Sequence, residues 1–155
     1  MKNSAEKFMK EALREAYSGI RNHEGGPFGS VIVKDGEIVG RGHNRVIKNQ
    51  DPTCHGEMEA IRNACENLGT FDLSGCEIYT TAQPCPMCLG AIMWANIEKV
   101  YYGCNCKDTE KIGFRDDKFY DYFAGKNNVL ETEEICREDC LELFEEYEHS
   151  EGENY

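Results

Sequence analysis

Two short stretches concentrate the side chains able to do chemistry: CHGEMEA at residues 54 to 60 and PCPMC at residues 84 to 88. The first holds a thiol (Cys54), an imidazole (His55) and two carboxylates (Glu57 and Glu59). The second is a C-x-x-C pair, Cys85 and Cys88. Alone, such a pair reads as a redox dithiol, half of a structural zinc site or part of a catalytic one. At the start of a helix its thiols ionise more readily, because unpaired backbone N–H groups favour the thiolate. That serves all three readings.

A structural zinc takes four protein ligands, whereas a catalytic zinc takes three and keeps a place for water. His55 is a good third ligand, at the start of an upstream helix. One strand, CEIYTT, lies between the two helices, and a helix–strand–helix unit can bring both helix N-termini to one end of a sheet. Cys54 and His55 diverge by about 100° on a helix, which weighs against both reaching one metal. Glu59 shares the face of His55. Glu57 lies about 200° around an ideal helix, yet in a first turn both it and His55 can face a metal beyond the helix end. Spacing alone leaves Glu57 and Glu59 open.

The elements that must hold these residues are readable. Residues 5 to 20 carry an apolar stripe at helical spacing: Phe8, Met9, Ala12, Leu13, Ala16 and Ile20. GGPFG is a loop. SVIVKDGEIVGRG is a hairpin turning at Asp35-Gly36. DPTCHGEMEAIRNACENLG reads as a helix capped by Asp51, with Pro52 in its first turn, Met58, Ile61, Cys65 and Leu68 buried, and Gly69 as its stop. A second helix starts at Pro86, and KVYYGC is a further strand. NVLETEEIC reads as an edge strand. Residues 137 to 148 form a last helix with Cys140, Leu141 and Phe144 on its apolar side, followed by a polar tail. The order predicts an α/β fold, a three-layer α/β/α sandwich with a central mixed sheet. No repeat or linker interrupts it, so residues 1–155 read as a single domain.

Composition narrows the function classes. The N-terminal stretch is charged throughout and lacks the apolar run of a signal peptide. No apolar run approaches the ~18 residues of a membrane span. The expectation is a cytoplasmic protein with reduced cysteines, since nine is an odd count and a chain of 155 residues folds without staples. The net charge is −12, and residues 131 to 155 hold eleven acids against Arg137 alone. A nucleic-acid backbone would be repelled by that end, and no extended basic track offers to bind one. The acidic end also reads as a solvated helix face.

HGE followed by PCPMC matches the H-x-E…P-C-x-x-C signature of zinc nucleobase deaminases. On it the chain is identified as a member of the cytidine deaminase-like superfamily. The resemblance implies that His55, Cys85 and Cys88 bind Zn²⁺ and that Glu57 is the proton shuttle. Zinc lowers the pKa of a bound water toward 7 and makes hydroxide available for attack on the carbon bearing the amine. Glu57 acts as base and then as acid. Cys54 and Glu59 are left to packing and helix surface.

Within the superfamily the chain most resembles small bacterial guanine deaminases, through GGPFG with VIVKDG, DPTCHGE, PCPMCLGAI with Trp94, GFRDD followed by FY, and the terminal Tyr155. The resemblance implies deamination of guanine to xanthine and ammonia. It implies that Asn44, Phe28, Gly56 and Trp94 bind the base, with Asp116 and Tyr155 beside the departing amine. It also implies a homodimer in which the C-terminal segment crosses to the partner. Asp117 competes with Asp116 for the acidic role. Two residues depart from the pattern: Gln83 where these enzymes have Glu, and Gly56 where they have Ala, which would widen the pocket floor. The alternatives are a deaminase of cytosine or another small aminated ring, a tRNA adenosine deaminase, and a non-enzymatic zinc-stabilised binding module with Cys54 as fourth ligand.

Overall fold

The computed structural model describes residues 2–155. Its first helix, α1 (Lys2–Arg21), leads into the hairpin β1 (Gly29–Lys34) and β2 (Glu37–His43). Asp35 and Gly36 both take positive φ, 50° and 80°, which gives the tight turn the Asp-Gly pair predicts. A short α2 (Val46–Asn49) follows, then α3 (Gly56–Leu68), β3 (Cys76–Ala82), α4 (Pro86–Trp94) and β4 (Lys99–Cys104). Two short helices, α5 (Cys106–Lys111) and α6 (Asp117–Phe123), precede α7 (Arg137–Glu148).

The four strands form one mixed sheet in the order β2-β1-β3-β4. β1 pairs antiparallel with both β2 and β3, while β3 and β4 run parallel. Alternation along the central strands separates two cores. Val31, Val33 and Tyr79 face α1 and pack on Phe8 and Ala12. Ile32 and Ile78 face the other way and pack on Ala60 and Ala64 of α3 and Ile92 of α4. This is the expected three-layer sandwich. Among the described residues, no helix is long and apolar enough to cross a membrane.

Three expectations about elements need correction. First, α3 begins at Gly56, not near Asp51. The Asp51 carboxylate instead accepts from the backbone N–H and hydroxyl of Thr53, at 2.8 and 2.7 Å, and so closes a local turn. His55 becomes the N-cap. Second, the buried stripe of α3 is Gly56, Glu57, Ala60 and Ala64; Ile61 and Cys65 are only partly buried, and Leu68 is exposed. The small residues face inward because α3 lies directly on glycines of β2. A Cβ on Gly40 would come within 2.6 Å of the Ala64 Cβ and 2.7 Å of the Ala60 carbonyl oxygen. Third, residues 128–136 form no strand, and Val129, Leu130 and Ile135 are exposed. The α7 boundaries agree with the sequence, but of its expected apolar side only Leu141 is even partly covered, and Phe144 stays exposed.

The α3–β2 contact sets where the N-terminus of α3 lies. Gly40→Ala should therefore destabilise the fold by about 1–3 kcal/mol through overpacking. Gly90→Ala, within α4 with nothing near the new methyl, should not. Thermal unfolding of the two variants measures the difference.

Candidate active site

His55 and Cys85 occupy matching positions. Each is the N-cap of its helix, α3 and α4, with extended backbone and no side-chain capping bond. A Ser or Asp at such a position turns back to the helix N–H groups; these two side chains do not, and are free to turn toward each other. Pro86 starts α4 at a position that needs no N–H donor. Cys88 follows one turn along. The two helices begin at the same end of the sheet because β3 alone separates them.

The His55 Nδ1 lies 3.6 Å from Cys85 Sγ and 3.6 Å from Cys88 Sγ. The three ligand atoms all fall within 4.8 Å of one another. Zinc–sulfur and zinc–nitrogen bonds of about 2.3 and 2.0 Å at a tetrahedral angle put N and S about 3.6 Å apart. The observed spacing fits zinc. The charges agree. Hydrogen bonding from Cys88, and then from His55, pulls the Cys85 thiol down to about 4 against the effect of burial. Cys88 is pushed up by its bond to Cys85 and by burial. His55 is raised by its bond to Cys85. Two crowded thiols thus share one ionisation, a conflict that a divalent cation removes. Cys54 lies outside the cluster. It is buried, and its sulfur accepts from Asn49 at 3.6 Å.

Beside the cluster opens a cleft of about 500 Å³, within the usual range for small-molecule sites. Glu57 lines it and is only 5% exposed. Its Oε1 accepts from the Thr80 hydroxyl at 2.6 Å and from the Ser30 hydroxyl at 3.3 Å. Glu59 instead pairs with Arg62 at 2.8 Å. The choice that spacing left open is thereby made by burial: Glu57 faces the cleft and Glu59 faces an exposed guanidinium.

Asn44 and Phe28 also line the cleft. The Asn44 backbone N–H donates to the Phe28 carbonyl at 2.9 Å, and its side-chain oxygen accepts from the Val46 N–H at 3.1 Å. Gly25 is required beside it, since a Cβ there would reach within 2.2 Å of that oxygen. Phe28 meets Phe114 edge to face at 5.0 Å. Glu24 braces this wall. Its carboxylate accepts from His43 and Arg45 at 3.0 and 3.1 Å, and its carbonyl accepts from the Ile47 and Lys48 N–H groups. The bond from His43 holds the Glu24 carboxyl below its ordinary range.

Asp116 reaches the same cleft, and its carboxyl is pushed up by burial and by the Cys85 thiolate. Asp117 turns away and pairs with Arg115 at 2.8 Å. Gln83 lines the cleft as well, its Oε1 accepting from the Cys106 N–H at 3.1 Å.

Three expected contacts are not made within one chain. Trp94, 69% exposed, ends α4 at the opposite pole from Cys85. Tyr155 is 80% exposed and packs on Trp94 and Phe71, with ring centroids 6.0 and 5.9 Å apart. Gly56 is buried behind the cleft: a Cβ there would come 3.1 Å from the Phe28 carbonyl oxygen. Its missing methyl makes room for the backbone of Phe28 rather than for a ligand. Residues that the motifs did not flag are Ser30, Thr80, Phe114 and Tyr120, whose hydroxyl donates to the Pro84 carbonyl at 3.4 Å. Ser30 and Thr80 as polar residues on the face of Ile32 and Ile78 were the available signal.

A zinc-binding region of cytidine and deoxycytidylate deaminases matches residues 2–104, and the chain belongs to that family of zinc-dependent deaminases. It is 48% identical over 115 residues to a guanine deaminase of Bacillus subtilis, covering 74% of each chain. It is also 48% identical over 97 residues to a tRNA-specific adenosine deaminase of Aquifex aeolicus, covering 63% of this chain and 64% of that one. The X-ray structure of the guanine deaminase from Bacillus subtilis superposes with a TM-score of 0.89 at 37% identity, covering 97% of this chain and 98% of that one.

Removing one ligand from so tight a set leaves an incomplete zinc site. His55→Ala and Cys88→Ala should lose bound zinc on gel filtration, while Glu59→Gln should retain it, as read by elemental analysis.

Proposed function

We propose that this chain hydrolyses guanine to xanthine and ammonia. The observation that carries the reading is the buried carboxylate of Glu57 facing a cleft beside the His55–Cys85–Cys88 cluster. The likeness to the guanine deaminase of Bacillus subtilis over nearly the whole length of both structures supports the choice of base.

Zinc held by His55, Cys85 and Cys88 would supply an acidified water. The residues of the chain do the rest. Asn44, fixed by its bonds to Phe28 and Val46, orients the base through its amide, and Phe28 and Phe114 bound the flat ring. Glu57 takes the proton that the water gives up and passes it to a ring nitrogen. Once the hydroxyl has added to the carbon, Glu57 takes its remaining proton and gives it to the amine, so that the carbon–nitrogen bond breaks, the carbonyl forms and ammonia leaves. Asp116, which lines the same cleft, accepts from the amine N–H groups.

Two features support a homodimer that exchanges C-terminal segments. The apolar residues Leu143, Phe144 and Tyr147 of α7 are exposed in the single chain, and Tyr155 does not reach its own cleft. In the dimer Tyr155 closes the partner's cleft against water. The net charge of −12 favours a small neutral base over a polynucleotide. The whole chain then acts as one deaminase domain.

Zinc-loaded protein should release ammonia from guanine and not from cytosine or tRNA. Glu57→Gln should lose about 10²–10⁴-fold in kcat with zinc retained. If it stays active, Glu59 becomes the better proton carrier. A second experiment addresses the exchange. Glu57→Gln and a variant lacking Tyr155 should each be nearly inactive, and co-expression should restore activity by forming mixed dimers with one complete site. No recovery, or a monomer by light scattering, would refute the exchange.

A further inference from the structure

We infer that Thr80, backed by Ser30, is a positioning residue that pins one oxygen of Glu57 so that the other stays presented to the cleft. This rests on the reading of Glu57 as proton carrier.

Ser30 and Thr80 are directly opposed in the β1–β3 ladder. Both have no exposed surface and point toward α3, on the side of Ile32 and Ile78. A hydroxyl in such a core is costly unless it is bonded, and Val would fill the space of Thr80 without that cost. Packing therefore does not explain the hydroxyls. Their bonds do. The Thr80 hydroxyl has one proton, and it lies 2.6 Å from Glu57 Oε1, the short distance of a bond to a carboxylate. The Ser30 hydroxyl also has one proton, with Thr80 Oγ1 at 3.0 Å and Glu57 Oε1 at 3.3 Å in reach. Each proton is used once in a chain running Ser30 to Thr80 to Glu57.

The chain ends on Oε1. The Thr80 bond fixes Oε1 against the strands, which leaves Oε2 for the cleft that Glu57 lines. A carboxylate that must take a proton from one atom and deliver it to another needs one oxygen held within reach of both. An unpinned side chain would rotate between settings, and small misplacements of a catalytic group cost rate steeply. Thr80 touches neither substrate nor metal ligand. Its influence passes through Glu57.

The test separates the hydroxyl from the methyl of Thr80 in the zinc-loaded enzyme. Thr80→Val keeps shape and loses the proton. We expect kcat to fall about tenfold to a hundredfold with KM nearly unchanged. Thr80→Ser keeps the proton and loses packing, so kcat should be retained while the melting temperature falls. Ser30→Ala should cost less than Thr80→Val, because the proton of Thr80 still reaches Glu57, and the double variant should cost most. Crystal structures of the zinc-loaded forms give a readout free of substrate: the Glu57 carboxylate should turn in Thr80→Val and not in Thr80→Ser. Wild-type kcat in Thr80→Val, or an unmoved carboxylate, overturns the proposal. If the wild type deaminates some other aminated base, the guanine reading fails, and the same comparison is made on that base.

Discussion

The spacing of two helix starts governs this molecule. β3 runs between α3 and α4 and returns the chain to the same end of the sheet, so His55 and Cys85 begin their helices side by side. With Cys88 they bring three ligand atoms within 4.8 Å. Such a set is uncomfortable without a cation. The bonds from Cys88 and His55 pull the Cys85 thiol down, the bond to Cys85 pushes Cys88 up, and the same sulfur raises His55. The positive ends of both helices soften the conflict, and a divalent ion removes it. Metal binding is thus the local solution to a charge problem that the fold creates.

That solution depends on how closely α3 lies on the sheet. Gly40 and Gly42 of β2 admit the alanine face of α3 to near contact. At its N-terminal end the same approach drops Glu57 between the two central strands, where Thr80 and Ser30 meet it. Gly56 lets this end press on the backbone of Phe28, whose carbonyl in turn receives the N–H of Asn44. Metal ligand, buried cleft carboxylate and two cleft walls therefore share one rigid contact. This is why the inward face of α3 is small rather than apolar and bulky.

Local chemistry was legible in the sequence. Asp35-Gly36 turned the hairpin, Gly69 ended α3 with φ of 65°, Pro86 opened α4, and the ligand set followed from HGE and PCPMC. What was not legible depended on competition or on distance. Asp51 is a good cap, yet it closes a turn with Thr53 instead, and the helix waits for Gly56. The stripe of Met58, Ile61, Cys65 and Leu68 followed hydrophobicity, whereas the glycines opposite α3 select Ala60 and Ala64. Residues 128–136 read as an edge strand but form none and find no partner edge. Trp94 and Tyr155 sit at the far end of α4 from the ligands, a placement that no short motif encodes.

Charge explains the kind of ligand the cleft can take. Glu57, Asp116 and the Cys85 thiolate crowd one wall, and burial together with that thiolate already pushes the Asp116 carboxyl up. An anionic ligand would add to the repulsion; a neutral ring with N–H groups offers the donors these oxygens lack. Gln83 fits the same logic. A carboxylate at this position would place a further negative charge on the cleft. The amide instead spends its oxygen on the Cys106 N–H, joining the start of α5 to the strand end before Cys85, and adds no charge. Gln83 thus braces the start of α5 without adding a charge beside Asp116.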